Sequence, residues 1–405
     1  MINTAIIGVS GFGQTHYRDL LRYQQKGRLN ISAATIINQD QEAEKCAELR
    51  ALGCVIYDDY RKMLEDFKGK LDLCFIPTGI GLHRPMAIAA MEHGASAFIE
   101  KPAAPTVQDV EAIRQAELAT GKFTAVGYQS VYQPVTIRVK KEILAGKIGK
   151  IQCIKSMGLW PRDHRYYTRN NWAGKLGNGN SGWILDSPFN NALAHYLNLP
   201  LFFGGETFRH SAELASIRAQ LYRCNPEIET TDTAMIHTRS VTGLDIYFYC
   251  THCSVVNYGP EIEIRGDKGS IVWKVNGTVF NYENGREEVP PLPGPEDRDA
   301  VMDALLARLE DPKAFVCDLD IAGTHVLAVN GAHESSPIIP VPQEYVDKCT
   351  LEGGNYRYIC KGLDDLMFRL FREERFATTA DYPWVRNGDE FSLANYREFN
   401  GGKLR

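Results

Sequence analysis

Lys101 stands between Glu100 and Pro102 at the end of the apolar run Ala97-Phe98-Ile99, and the phrase Ile6-Ile7-Gly8-Val9-Ser10-Gly11-Phe12-Gly13 stands near the start of the chain. A glycine-rich turn alone points to a held phosphate, whereas a later strand ending in lysine brings an ammonium to the same sheet edge. An ammonium beside a carbinol oxygen stabilises the alkoxide that develops as hydride leaves, and partial burial tunes its proton affinity. Together the two features point to redox chemistry on a hydroxyl. Gly8 and Gly13 hold the first and last positions of a G-x-G-x-x-G phrase, with Ser10 at the middle position and Gly11 after it. Serine is small, so Ser10 and Gly11 still let backbone approach a pyrophosphate. The helix opening near Phe12 then directs its free N–H groups at the phosphates. Asn38 takes the place at the end of the second strand where an acidic residue normally receives the ribose hydroxyls. Its amide bonds a ribose without repelling a 2′-phosphate. No Arg or Lys follows immediately, so NAD is favoured over NADP; the alternative is that Asn38 caps the next helix.

A second concentration of chemistry lies at Trp160-Pro161-Arg162-Asp163-His164-Arg165-Tyr166-Tyr167-Thr168-Arg169-Asn170-Asn171-Trp172. Apolar ring faces stack on sugars while amides and guanidinium groups take their hydroxyls. Arg162, Tyr166, Tyr167, Asn171 and Trp172, with Asn191 beyond the glycine-rich loop 174–182, are the substrate-contact candidates. The ten cysteines lack framework spacing, and Cys250-Thr251-His252-Cys253 falls in a strand pattern that turns positions three apart to opposite faces. They read as reduced core residues. No second cysteine pair completes four ligands, so no metal is expected.

The elements that position these groups follow from periodicity. Apolar runs at Thr4–Val9, Ile31–Ile37, Leu71–Ile76, Ala97–Ile99 and Phe123–Val126 alternate with helical patterns at Gln14–Gln25, Gln41–Leu52, Arg61–Phe67, Arg84–His93 and Thr106–Thr120, the pattern of a doubly wound parallel sheet. Beyond residue 127 come Lys150–Leu159, Phe208–Tyr222, Asp232–Ser240, Gly243–Cys253, Glu261–Gly266 and Ser270–Val275. These strands have no intervening helices and predict an α+β domain with a largely antiparallel sheet. Gly266-Asp267-Lys268-Gly269 and Asn276-Gly277 are hairpin turns, Val289–Pro295 is a Pro/Gly loop, and helices are expected at Asp297–Leu309 and Asp320–Gly331. The expected domains are 1–127, 128–344 and an ordered extension, 345–405, packed on the body or on a partner subunit.

Composition bounds the partners. The net charge of -5 and pI near 6.1 give no long-range attraction to nucleic acid or anionic membranes. No run approaches the roughly 20 apolar residues of a membrane span, and the N-terminus lacks a secretory pattern. A cytoplasmic protein is expected.

The glycine turn, Phe75-Ile76-Pro77-Thr78-Gly79-Ile80-Gly81-Leu82-His83, Glu100-Lys101-Pro102, and Val126-Gly127-Tyr128-Gln129 through Pro134 with Gly146-Lys147-Ile148-Gly149 resemble the glucose-fructose oxidoreductase / inositol dehydrogenase / MocA family over roughly residues 1–340. The resemblance implies a Rossmann domain followed by an open-faced sheet domain, a tightly held nicotinamide cofactor and sugar or polyol substrates. It makes Lys101 the active-site lysine and puts Thr78, His83, Glu100, Lys101 and Gln129 at the cofactor. It also implies an aspartate followed four residues later by histidine. Asp186 matches the acid, but Asn190 stands where the histidine is expected. His195 is the nearest replacement: it lies four residues beyond Asn191, so the two share a helical face, and an imidazole suits proton abstraction. It reads equally as a core histidine bonded to Asn191, and Asp186 as the N-cap of a helix opening at Ser187-Pro188.

The expected activity is hydride transfer between a sugar-type hydroxyl and NAD(P). One alternative is a glycosidase or lyase that keeps NAD bound and oxidises a sugar hydroxyl transiently so that a glycosidic substituent is eliminated. Another is a non-enzymatic dinucleotide-binding regulator. Because a bare apolar sheet face is unstable in water, a homodimer or homotetramer through the second-domain sheet is expected.

Overall fold

The computed structural model describes residues 1–177, 179, 182–291 and 296–404, and the backbone divides into two compact units. The first comprises residues 1–133 with 296–323, the second residues 134–291 with 324–404.

In the first unit, β1 (Ile2–Ile7), β2 (Leu29–Thr35), β3 (Val55–Tyr57), β4 (Leu73–Ile76), β5 (Ser96–Ile99) and β6 (Thr124–Val126) form one sheet in the order β3-β2-β1-β4-β5-β6. Every pairing is parallel, and a parallel sheet covered on both faces accounts for the unbroken apolar runs. The crossover helices are Gly13–Gln25, Ala43–Ala51, Tyr60–Asp66, His83–Glu92 and Val107–Thr120. Two begin at side-chain caps the sequence carries: Asp59 accepts from the Arg61 N–H and Thr106 from the Asp109 N–H, each satisfying an orphan donor of the first turn. This is the doubly wound sheet the alternating pattern predicts. β3 escaped that pattern because it is three residues long and only partly buried.

The stretch 296–323 belongs to this unit, whereas the sequence reading placed it in the second domain. The Val126 N–H on edge strand β6 donates to the Cys317 carbonyl at 2.8 Å, and the Cys317 N–H donates to the Tyr132 hydroxyl at 3.1 Å. Tyr23 donates to the Asp299 carbonyl at 3.2 Å. The edge of a sheet needs partners for its backbone groups, and a segment distant in sequence supplies one here.

The second unit is built on β7 (Ile151–Leu159), β8 (Leu214–Arg223), β9 (Thr233–Ser240), β10 (Asp245–Thr251), β11 (Tyr258–Gly266), β12 (Ser270–Lys274), β13 (Gly277–Tyr282), β14 (Gly285–Val289) and β15 (Ile338–Pro340). They run in the order β14-β13-β12-β11-β7-β10-β9-β8-β15. Among the described residues only the β7–β10 and β8–β15 pairings are parallel, so the sheet is largely antiparallel, as expected. Phe208–Glu213, expected to open β8, lies outside it. β14 (GREEV) was not expected because it is exposed and polar. Both predicted hairpin turns join their strands. Of the expected Pro/Gly loop, residues 292–295 lie outside the described residues, as do 178, 180 and 181 of the glycine-rich loop.

One face of this sheet is filled by the end of the chain. After β16 (Val346–Thr350) and β17 (Tyr356–Cys360) comes the helix Leu363–Glu373, with Leu363, Leu366, Met367, Leu370 and Phe371 on one stripe. They share a core with Met157, Leu159, Tyr222, Met235 and Tyr249 of the strands and with Trp384 and Val385 further on. Each such buried side chain contributes about 1.5–3 kcal/mol. Toward β11 and β12 the same face turns polar, with Lys155–Glu263 at 3.4 Å and Lys274–Glu261 at 2.7 Å. The expected bare apolar face is therefore not present, and the reason for a second copy to cover it is removed. β18 (Phe391–Ser392) then pairs with β8. Among the described residues no helix is long and apolar enough to cross a membrane.

Candidate active site

In the first unit the glycine turn joins β1 to the helix Gly13–Gln25. Gly8 and Gly11 have φ of +94° and +56°, conformations that favour glycine. A Cβ on Gly13 would stand 2.8 Å from the Gly8 carbonyl oxygen, so only glycine lets the helix approach the strand this closely. Phe12 occupies the N-cap without a side-chain cap bond, and the N–H groups of Gly13, Gln14 and Thr15 turn back onto the carbonyls of Ser10, Gly11 and Phe12 at 2.9, 3.3 and 2.9 Å, so the positive end of the helix dipole lies at the glycine turn. Phe12 and Ile37 are exposed large apolar residues just beyond the carboxyl ends of β1 and β2, where ligands of such sheets gather.

Asn38 donates to the Ser10 hydroxyl at 3.1 Å and to Gln41 at 3.1 Å. The residue beside it that sequence reading missed is Glu42. Its carboxylate accepts from Ser10 at 2.7 Å and pairs with Lys45 at 2.6 Å; Lys45 also reaches the Val9 carbonyl at 2.9 Å. Hydrogen bonds from Lys45 and then Ser10 hold the Glu42 carboxyl below its ordinary range. An acid four residues beyond Asn38 thus stands beside Ser10 of the glycine turn.

Lys101 lies two residues past β5, with its peptide to Pro102 in the cis form, and its N–H donates to the Glu100 carboxylate at 3.1 Å. Glu100 turns inward: it is buried, and its other oxygen meets His16 Nε2 at 2.7 Å. Burial alone would raise its pKa, but the His16 contact and the Lys101 charge hold it below the ordinary value. A Cβ on Gly127 would stand 2.8 Å from this carboxylate, so the Gly127 position is tied to Glu100. His83 is also buried, with Nδ1 at 2.9 Å from the Pro102 carbonyl and Nε2 at 3.1 Å from that of Thr78. Burial lowers its pKa, against the opposing effect of the two carbonyls. The Thr78 hydroxyl faces Met86 sulfur at 3.6 Å. Glu100 and His83 are thus both buried and bonded to the Lys101–Pro102 turn. Gln129 opens the short helix Gln129–Tyr132.

In the second unit, residues 187–193 form turns and the helix begins at Ala194, with Leu193 at its N-cap. Asp186 is therefore not the cap of that helix, and Asn191 does not share a helical face with His195. Leu185 has φ of +55°, a conformation that breaks a helical approach. Asp186 is buried; it accepts from the Gly174 N–H at 2.6 Å and from the Asn191 amide at 2.8 Å. That amide also stands 3.5 Å from the Tyr166 hydroxyl. Asn190 gives its amide N–H groups to the carbonyls of Ile184 and Leu185, both at 3.1 Å; it braces the turn and has no basic lone pair to take a proton. His195 is buried in the first turn of the helix Ala194–Phe203.

The aromatic segment forms the short helix His164–Thr168, capped by Asp163, which accepts from the Tyr166 N–H at 3.0 Å. Arg169 and Arg162 lie 3.8 Å and 4.9 Å from the Tyr166 ring centre, and Arg169 also lies over Trp172 at 5.1 Å. Arg162, Tyr166, Trp172 and Asn191 thus form one connected polar and aromatic cluster with Asp186. Asn171 is exposed. The Tyr167 hydroxyl turns the other way, buried beside Asp232 and Cys253, and burial first of all raises its pKa well above the ordinary value.

Comparison with known proteins bears on this geometry. The family model described as an oxidoreductase family with NAD-binding Rossmann fold (GFO_IDH_MocA) matches residues 2–128, and its C-terminal-domain model matches residues 136–272. The chain belongs to this NAD-binding oxidoreductase family. It is similar to an inositol 2-dehydrogenase/D-chiro-inositol 3-dehydrogenase of Shouchella clausii, 22% identical over 71% of this chain and 76% of that protein. An inositol 2-dehydrogenase of Serratia proteamaculans is 29% identical over 37% of this chain, a match that spans 43% of that protein. The WlbA dehydrogenase of Bordetella pertussis, solved with NADH and UDP-GlcNAcA, shares the fold with a TM-score of 0.65 at 23% identity, over 82% of this chain and 94% of that one.

Proposed function

We propose that the protein is an NAD-dependent dehydrogenase of sugar or polyol hydroxyls. The observation that carries the reading is Lys101, held by the Glu100–His16 pair at the carboxyl edge of an NAD-binding sheet. The relatives named as inositol dehydrogenases support the substrate class. The glycine turn fits a pyrophosphate, the exposed Phe12 and Ile37 fit apolar rings, and Glu42 fits ribose hydroxyls. Bound there, the nicotinamide supplies the hydride acceptor or donor.

The chain's own residues then have separate tasks. Lys101 stabilises negative charge on the reacting oxygen. Asp186 fixes Asn191, and through it Tyr166, so that an amide and a phenol are presented to substrate hydroxyls with little reorganisation. Proton transfer falls to Asp186 or His195, since an amide at 190 cannot serve. The test is NAD reduction across a panel of inositols, aldoses and sugar acids. Lys101→Ala is expected to lower kcat about 10²–10³-fold, the effect of removing one oxyanion donor, with cofactor affinity retained. Unchanged turnover in that variant would overturn the assignment. The pH profiles of His195→Gln and Asp186→Asn then separate the two proton acceptors.

The asparagine in place of the family's histidine favours a second reading, in which NAD stays bound and a glycoside is cleaved through transient oxidation. Stoichiometric NADH release excludes it. A cytoplasmic location belongs to the same proposal, supported by ten cysteines of which none, among the described residues, is in a disulfide, as in a reducing compartment. Self-association through the sheet face is not part of it, because residues of the chain's own end fill that face.

A further inference from the structure

Three neighbouring strand ends in the second unit bring together groups the dehydrogenase reading does not use. Cys224 follows β8, Asp232 precedes β9 and Cys253 follows β10; the register Tyr222–Thr233–Thr251 across these strands puts the three at one level. The sulfurs of Cys224 and Cys253 and a carboxylate oxygen of Asp232 all lie within 4.8 Å of one another, and all three residues are buried. A further thiol arrives from the end of the chain: Cys360, the last residue of β17, gives its N–H to the Cys253 carbonyl at 2.9 Å and lies beside Cys224, outside the group of atoms that are all within 4.8 Å of one another.

Asp232 is set in place by the N–H groups of Cys224 at 2.9 Å and Asn225 at 2.7 Å and by the Thr233 hydroxyl at 3.2 Å. The flanking hydroxyls of Tyr167, Thr230 and Ser254 are buried and have no hydrogen-bond partner among the described residues. Such orphans mark a place where a further group is accommodated. Borderline-soft divalent cations take thiolate and carboxylate donors in a closed tetrahedron, in which bonds of about 2.3 Å to sulfur set the ligand atoms about 3.8 Å apart.

We propose that Cys224, Cys253 and Asp232 hold a zinc-class divalent cation in a structural site that the Cys360 side chain closes on binding, which pins β17, and with it the segment covering the sheet, to the ends of β8, β9 and β10. Each thiol that ligates releases its proton to solvent, and the cation offsets two of the four negative charges that three thiolates and the Asp232 carboxylate carry.

The test uses the full chain purified under reducing conditions from zinc-supplemented medium. About one zinc per chain is expected, and exchange with Co²⁺ gives sulfur-to-cobalt charge transfer and the intense visible bands of a tetrahedral thiolate site. Cys253→Ser and Cys360→Ser are each expected to weaken zinc binding more than about 100-fold, and Cys349→Ser, on β16, to leave it unchanged. Should the cluster variants not fold, the wild-type chain still decides: zinc shields three thiols from an alkylating reagent, read by peptide mass. The inference is overturned by a chain that retains no zinc and gives Co²⁺ only the weak spectrum of an octahedral aquo ion. It is equally overturned if the mass shows two hydrogens lost between Cys224 and Cys253 or Cys360, the mark of a disulfide.

Discussion

His16 Nε2 and Glu100 Oε1 stand 2.7 Å apart inside the first unit, although 84 residues separate them in the chain. His16 belongs to the helix that opens at the glycine turn, and Glu100 directly precedes Lys101. The contact couples the helix at the glycine turn to the turn that carries Lys101, so that neither is set in position independently.

Glu100→Gln tests this coupling. The folded-state pKa of Glu100 is depressed, so its contribution is fully present above the unfolded value near 4.5 and is lost as pH falls through the folded value. At pH 7 the variant is expected to lose about 1–3 kcal/mol, the range for disturbing a buried hydrogen-bonded group. The gap from wild type should narrow as pH drops below about 4.5. Urea unfolding at pH 7 and at pH 4 measures both.

Asn190→His would restore the residue the family resemblance calls for at that position. It is expected to destabilise the second unit by about 1–3 kcal/mol rather than raise activity, because an imidazole cannot replace both N–H bonds to Ile184 and Leu185. Thermal unfolding together with kcat decides the point.

Glu42 should set the cofactor preference. Its carboxylate repels a 2′-phosphate, and two charges about 4 Å apart at the surface interact by roughly 4 kcal/mol before screening. Glu42→Ser also releases Lys45 from its pair. The ratio of kcat/KM for NAD over NADP is expected to fall at least about 10-fold, a change worth about 1.4 kcal/mol, as read by initial rates with each cofactor.

Removing residues 345–405 should expose Met157, Leu159, Tyr222, Met235 and Tyr249 together, a patch that drives association in water. Light scattering is expected to show aggregation of the truncated chain, and a monodisperse truncated protein would contradict the account of the covered face.

The parts of this architecture legible in the sequence were those encoded locally. The strand–glycine turn–helix phrase and Lys101 at a strand end follow from residue types at short spacing. The helix expected at Ser187 failed because Leu185 adopts a left-handed conformation and the following residues close into turns, which local propensity does not reveal. Glu42 was overlooked because it lies past the customary place for an acid, and its role comes from Ser10, which only the turn brings near. The roles of Glu100 and His83 as supports depend on burial that no spacing records. Cys253 was set aside as a core thiol because Cys224, Asp232 and Cys360 are scattered over the second unit, where no short motif joins them to it.

The return of residues 296–323 to the first unit carries a consequence for biogenesis. Edge strand β6 emerges from the ribosome with its Val126 N–H unsatisfied, and its partner at Cys317 is made only after almost the whole second sheet has been synthesised. The amino-terminal unit therefore cannot reach its final form while it is the only one made, and order of synthesis and order of completion part company. A nascent chain halted near residue 290 should expose β6 to proteases and chaperones, while one extended far enough for residues 296–323 to leave the ribosome should protect it.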